Sequence, residues 1–206
     1  MHPAISLGID LGTSELKTVL MDSTGAVRGQ ASVRLDVSRP QPGWSEQAPQ
    51  DWWAACVNAL GQLRAGWPQD YAQIVCIGLS GQMHGAVLLD SNDNVIRPAI
   101  LWNDARAEAE AAALARDYPT YADVTGSLPM AGLTAPKLLW LQQHEPDAFA
   151  AIACLLSPKD YLRLRFTGIK LTDMSDAAGT LWLDEAARTW FPPMVAACGL
   201  RLDQLP

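Results

Sequence analysis

Within its first 37 residues the chain passes three times through stretches that favour extended structure, and the breaks between them hold only tight turns. Ile5 to Asp10 and Leu16 to Met21 are apolar and β-rich, separated by Leu11-Gly12-Thr13-Ser14-Glu15. Asp22-Ser23-Thr24-Gly25 is the next break, and from Val27 to Val37 apolar positions mostly alternate with polar ones. Connections this short join antiparallel neighbours, because parallel strands need a crossover of roughly a dozen residues or more. The chain therefore opens as a three-stranded antiparallel meander.

After Ser38 to Pro49, a loop with Pro40, Pro42 and Pro49, the period changes. Trp52, Cys56, Ala59, Leu60 and Leu63 fall at helical spacing, and Pro49 suits a helix entry. Ile74 to Leu79 is a continuous apolar run of buried-strand length, and Ala86 to Leu89 with Val95 to Leu101 suggest a hairpin around Ser91-Asn92-Asp93-Asn94. Further helices are expected over Ala105–Arg116, Pro136–His144, Lys159–Phe166 and Trp190–Cys198, the last ended by Gly199, with a short strand at Ala153–Leu156. Antiparallel strands followed by alternating helices and strands define a mixed α/β domain. The polar turn that ends at Pro206 reads as a domain boundary.

Composition narrows the function. At 49% hydrophobic and 18% charged residues the chain is globular rather than disordered. A formal net charge of −7 leaves no basic surface to track phosphates, so nucleic acid is not an expected partner. No apolar run reaches the roughly 18 residues a membrane helix requires, and Asp10 interrupts the first apolar stretch, so neither a membrane nor a secretory signal is expected. Cys56, Cys76, Cys154 and Cys198 lie far apart without a CxxC pair. Reduced, mostly buried thiols in the cytoplasm are the plain reading.

The most informative local feature is Gly8-Ile9-Asp10-Leu11-Gly12-Thr13-Ser14, followed by Lys17. Gly12 lets backbone N–H groups approach a phosphate, Thr13 and Ser14 add hydroxyl donors, and Lys17 offers a positive charge. Asp10 at the strand end suits Mg²⁺ held through water, because Mg²⁺ keeps most of its hydration and takes carboxylate oxygens. A plain hairpin turn with a solvated Asp and Lys accounts for the same residues. Neither a Walker loop nor a spaced-glycine dinucleotide fingerprint occurs.

Asp-Leu-Gly-Thr-Ser followed by Lys, between two strands, resembles the first phosphate motif of the actin-like ATPases, and within them the FGGY carbohydrate kinases. Three further stretches extend the likeness: Gly43-Trp44-Ser45-Glu46-Gln47, Gly78-Leu79-Ser80-Gly81-Gln82-Met83-His84-Gly85, and Leu101-Trp102-Asn103-Asp104-Ala105-Arg106. The Gln-Met-His-Gly core is similar to the sugar-holding segment of xylulokinases, where glycerol kinases tend to carry Gln-Arg-Glu-Thr. Its chemistry suits a neutral pentulose: Gln82 offers a donor and an acceptor, neutral His84 one of each, and Met83 an adaptable apolar wall. Read without the resemblance, Asn103 or Asp104 caps the helix that follows. With it, both line the sugar cleft, Asp104 foremost as an acceptor of two hydroxyls. Gly132 to Leu141, Ser157 to Leu162 and Thr172 to Thr180 continue the match. Lys137 is expected as a surface or cleft-edge charge, Lys159, Arg163 and Arg165 as a solvated face, and Asp173, Ser175 and Asp176 as a solvated helix start or a cleft turn. Glu15 departs from the family, which commonly has a small residue there.

The resemblance implies a ribonuclease H-like (actin-like ATPase) α/β fold, a mixed five-stranded sheet flanked by helices, over residues 1–206. It implies ATP and Mg as cofactors, Asp10 as metal and phosphate positioner, Gly12, Thr13, Ser14 and Lys17 at the phosphates, and Gln82, Met83, His84, Asn103 and Asp104 at the sugar. The implied reaction is ATP plus D-xylulose giving ADP and D-xylulose 5-phosphate. The family's general base, an aspartate in an Asp-Asn motif, and its adenosine site lie in a second domain beyond Pro206, so the fragment alone is expected to be inactive. A non-catalytic sugar-binding module and a kinase for a related pentulose or polyol are the alternatives. An apolar cleft wall left uncovered is compatible with a homodimer.

Overall fold

Alternation in the first three segments has the expected consequence: Ile5, Leu7, Ile9 and Leu11 share one buried face with Leu16, Thr18 and Leu20, while Ser6 and Asp10 lie on the other. The structure, a computed structural model, describes residues 4–206. In chain order it has β1 (Ile5–Leu11), β2 (Glu15–Asp22), β3 (Val27–Arg34), β4 (Glu46–Gln47), α1 (Pro49–Gly66), α2 (Pro68–Tyr71) and β5 (Ile74–Gly81). Next come β6 (Val87–Leu89), β7 (Ala99–Ile100), α3 (Glu108–Asp117), α4 (Tyr121–Thr125), α5 (Thr134–His144) and α6 (Pro146–Ala150). The chain closes with β8 (Cys154–Leu156), α7 (Pro158–Thr167), α8 (Met174–Ala178), β9 (Leu183–Asp184), β10 (Thr189–Trp190) and α9 (Pro192–Ala197).

Two units divide these elements. The first comprises the chain up to Val37 together with Gln50–Gln82. Its sheet has the order β3-β2-β1-β5, antiparallel through the meander and parallel between β1 and β5. A parallel neighbour requires a crossover, and α1 supplies it, burying Trp52, Ala55, Cys56, Ala59 and Leu63 along one face. The sheet is mixed as expected, with four strands among the described residues where five were anticipated.

The predicted buried strand is present as β5, yet it is an edge strand with Val75 70% and Ile77 47% exposed. An apolar run reports strand propensity, whereas burial depends on what packs over it, and no local pattern encodes that.

The second unit comprises Ser38–Pro49 and Met83–Pro206. Its core gathers Leu88, Ile100, Leu138, Leu141, Leu155, Trp182 and Val195. The predicted hairpin is present in irregular form, through the bridges Leu89↔Val95 and Ala86↔Ile100 and the bonds from the Asp90 and Ile96 N–H groups to the Asn94 and Leu88 carbonyls. β6, buried at all three positions, takes its ladder from β8, and β7 pairs with β4. β8 is buried throughout as well.

Helix ends follow their chemistry. Ser157 accepts from the Asp160 N–H at the start of α7 and Gly168 ends it at φ 71°, while Asp173 accepts from the Ser175 and Asp176 N–H groups of α8. Lys159 is not part of a solvated face. Its ammonium lies 2.5 Å from Asp160, 2.8 Å from Asp173 and 3.2 Å from Asp176. Burial disfavours that charge, but the surrounding carboxylates outweigh it and raise the lysine pKa. The acidic cluster thus already encloses a cation of the chain's own. Cys56, Cys154 and Cys198 are buried free thiols and Cys76 an exposed one.

Ile9 and Val75 give opposite expectations for stability. Ile9→Ala should lower the unfolding free energy by about 2–5 kcal/mol in urea titration, through lost burial and a residual cavity. Val75→Ala, on the open edge, should change it by less than about 0.5 kcal/mol.

Candidate functional site

In the first unit the candidate site is the bend between β1 and β2. Gly12 is required there by close packing, since a Cβ would stand 2.9 Å from the Glu15 carbonyl oxygen. The Ser14 carbonyl accepts from the Leu35 N–H at 2.9 Å, and the Leu11 carbonyl accepts from the Gln82 N–H at 2.7 Å. Thr13 Oγ1 donates to Gln82 Oε1 at 3.0 Å. The bend is therefore braced on both sides, and Gln82, buried, joins it to the segment leaving β5.

Asp10 is exposed and paired in register with Lys17 on β2 and Ser80 on β5. Asp10, Lys17, Gly8, Gly78 and Ser80 line a hollow of about 840 Å³ on the open face of the sheet. Gly8 lies under Val19, whose Cγ1 would stand 2.9 Å from a Cβ there. Lys17 lies 3.0 Å from Glu15, whose carboxyl this partner holds below the usual range. The unexpected Glu15 thus pairs with the very cation expected at the phosphates. An exposed carboxylate at a strand end, with hydroxyls and backbone N–H groups nearby, suits a hydrated Mg²⁺ and phosphate oxygens.

In the second unit the candidate site starts at Met83, whose side chain is 46% exposed. His84 adopts φ 62°, a left-handed conformation that is uncommon for a residue with a Cβ. Its carbonyl accepts from Lys137 Nζ at 2.6 Å and from Thr134 Oγ1 at 3.3 Å. The imidazole lies against Gly179, where any side chain would collide with it. Burial first and the Lys137 charge second hold His84 below its usual pKa, against the opposing pull of Asp176 and the Gly179 backbone. A neutral imidazole at pH 7 follows, with one donor and one acceptor.

Lys137 is the largest departure from expectation. The anticipated surface charge is fully buried, with Nζ donating to the His84 carbonyl and, at 2.9 Å, to the Gly132 carbonyl. Burial drives its pKa down to about 7, partly countered by Asp104 and reinforced by Arg106. The signal that could have revealed it is spacing: Thr134, Lys137 and Leu141 fall at helical intervals on the same buried face of α5.

Asp104 is likewise corrected. Its side chain is fully enclosed: Oδ2 accepts from the Ser45 N–H at 2.5 Å, and both oxygens bind the Arg106 guanidinium at 2.8 and 2.9 Å. With its acceptors so engaged, Asp104 is a structural anchor rather than a sugar contact. Nor does it cap α3, which starts later, at Glu108, without a side-chain cap; its Oδ1 instead accepts from the Arg106 N–H at 2.9 Å. The neighbouring Asn103 and Trp102 are exposed.

Arg106 reaches Glu46 at 2.7 Å and stacks 3.6 Å over the Trp44 ring, and Glu46 also takes Arg97 at 2.5 Å. The Gly-Trp-Ser-Glu-Gln loop and the Trp-Asn-Asp-Ala-Arg segment are thereby one built object, sewn together by the Glu46↔Ile100 and Gln47↔Ala99 register.

The profile of the FGGY family of carbohydrate kinases, N-terminal domain, matches residues 5–206. The chain is 50% identical over 200 residues to the xylulose kinase of Escherichia coli (strain K12), covering 97% of this chain and 41% of that protein. It is 40% identical over 201 residues to the xylulose kinase of Bacillus subtilis (strain 168), covering 97% of this chain and 40% of that protein. Among solved structures, a xyloylose kinase from Brucella ovis superposes with a TM-score of 0.96 at 52% identity, over 98% of this chain and 42% of that one. A glycerol kinase from Plasmodium falciparum shares the fold with a TM-score of 0.91 at 21% identity, over 99% of this chain and 42% of that one. The chain thus spans about two-fifths of the length of the relatives it matches.

Two outcomes follow from the buried cations. Arg106→Met should cost about 3–5 kcal/mol of unfolding free energy in denaturant titration, because it leaves Asp104 and Glu46 charged and buried without compensation. Lys137 should impose a pH dependence of its own. Between about 7 and its unfolded value of 10.5 the unfolded chain holds a proton that the folded chain lacks, so stability rises with pH across that window and levels off below about 7, where both states are protonated. In Lys137→Met this component should vanish, so the urea midpoint of the wild type gains on the variant between pH about 7 and about 9.5.

Proposed function

We propose, from the premise that this chain belongs to the FGGY family of carbohydrate kinases, that it forms the amino-terminal, sugar-binding domain of a cytoplasmic xylulokinase. The reaction of the whole enzyme is transfer of the ATP γ-phosphoryl group to the 5-hydroxyl of D-xylulose. The observation that carries this reading is the hydrogen bond from Thr13 to Gln82, which fixes the phosphate bend to the first residue of the sugar-facing loop. Phosphoryl transfer depends mainly on positioning and charge stabilisation, and a glutamine braced to the bend serves the first requirement.

The residues divide by task. The N–H groups at Gly12, Thr13 and Ser14 and the Ser14 hydroxyl cradle phosphate oxygens, and Lys17 joins them when it leaves Glu15. Asp10 would hold Mg²⁺, and the ion would supply positive charge to offset that of the phosphates. Met83 provides the apolar wall for the carbon skeleton, His84 a donor and an acceptor, and Asn103 a further amide at the exposed turn that Asp104 anchors. Gln82 contributes mainly by fixing the loop.

No residue of this chain is assigned the role of general base. The relatives are more than twice as long, and the base and the adenosine site belong to the portion beyond this chain's length. The chain alone is therefore expected to bind pentulose weakly and to release no ADP.

Steady-state and calorimetric measurements on the full-length enzyme test this. Asp10→Ala should lower kcat by about 10²–10³-fold with little change in D-xylulose affinity, in line with loss of one electrostatic stabiliser. His84→Ala should abolish the heat of D-xylulose binding. Xylulose-dependent ADP production by the 206-residue chain alone would overturn the division of labour.

A further inference from the structure

A lysine with no exposed surface, placed between two backbone carbonyls, is an unusual use of a charged side chain. An ammonium carries three donors and no acceptor, so it can join two carbonyls from separate loops, which a hydroxyl or a single N–H cannot do with equal reach. The two carbonyls here belong to His84 and Gly132. Gly132 itself packs against the Trp102 carbonyl so closely that no Cβ would fit. Lys137 therefore ties the loop bearing Met83 and His84 to the one that abuts the Trp102–Asn103 turn.

The conformation of His84 needs such a tie. Left-handed backbone at a residue with a Cβ persists only where its surroundings over-determine it. Three restraints converge on this loop. Lys137 and Thr134 hold the His84 carbonyl, Gly85 lies against Pro158 too closely for a side chain, and the Gly179 backbone receives the imidazole. Of these, only Lys137 bonds both loops.

We propose that Lys137 is the positioning residue of the sugar-facing loop, its buried ammonium locking His84 in the left-handed conformation that presents Met83 and the neutral imidazole to a pentulose. The assignment rests on the reading of Met83 and His84 as sugar-facing. Lys137 touches no substrate; it acts through the His84 peptide. The charged and titratable groups that bear on the imidazole are Lys137 from α5 and Asp176 from α8, beside the Gly179 backbone. Removing the lysine should therefore both release the backbone and let the imidazole titrate higher.

The test uses the 206-residue chain, labelled at methionine methyls and histidine rings, with NMR as the readout. In Lys137→Met, a side chain of similar length without donors, thermal melting should stay cooperative. The His84 ring and Met83 methyl resonances should move, and the His84 titration midpoint should shift to higher pH. Titration with D-xylulose should show at least about tenfold weaker binding than the wild type, a loss typical of a displaced polar contact. Unmoved His84 and Met83 resonances in a folded variant would overturn the proposal, as would an unmoved histidine midpoint. If that variant fails to fold, Thr134→Val removes the second donor to the same carbonyl. It should move the same resonances by less; no movement at all would count against the lock. A wild-type chain whose Met83 and His84 signals ignore D-xylulose would remove the sugar reading, whereas the resonance shifts without sugar still decide what Lys137 does.

Discussion

A guanidinium withdrawn from water organises the second unit. Arg106 has no alternative but to be charged, and burying that charge alone would cost several kcal/mol. Asp104 and Glu46 compensate it, one by a bidentate fork at 2.8 and 2.9 Å and the other at 2.7 Å. Trp44 covers its plane and Trp140 packs edge-on against Trp44 at 5.3 Å. These partners come from three stretches of chain, so a single cation fixes the loop before α1, the turn before α3 and the buried face of α5 in one arrangement. Glu46 extends the set to Arg97, and Arg97 to Glu145 at 2.9 Å.

That arrangement explains why polar residues which resemble ligand contacts in the sequence turn out to be internal. Asp104 sits between Trp102-Asn103 and Arg106, and nothing local distinguishes a carboxylate that binds hydroxyls from one that binds a guanidinium two residues later. The deciding partner, the Ser45 N–H, is 59 residues away in sequence. The same holds for Lys159, whose three carboxylates come from α7 and the start of α8, and for Lys137, whose acceptors are backbone atoms that no side-chain pattern announces. Long-range partners, not propensities, assigned these roles.

Much else was legible locally. The meander, the helix after Pro49, the Ser157 and Asp173 caps and the glycine at 199 in its left-handed conformation all follow from short-range chemistry. Departures begin where pairing is non-local. β6 resembles half a hairpin with the segment after Asn94, yet its buried faces find β8, some 65 residues on. β5 has the composition of a core strand while lying at an edge. In both cases the apolar pattern names the element type correctly and leaves its neighbours open.

The candidate sites of the two units use charge in opposite ways, and the difference matches what each is proposed to handle. In the first unit Asp10 and Lys17 are exposed, on the surface proposed for a phosphate chain and a divalent cation. In the second, Arg106, Asp104, Glu46 and Lys137 have buried side chains, whereas Met83, Trp102 and Asn103, which are exposed, are uncharged. A neutral sugar gains little from a full charge that must first be stripped of water, but gains much from neutral donors and acceptors held without freedom to move. Internal ions whose task is to hold neutral groups still are therefore the consistent solution for that surface. His84 shows it at the scale of one residue: the Lys137 charge that helps to keep its imidazole neutral is borne by the same ammonium that fixes its backbone.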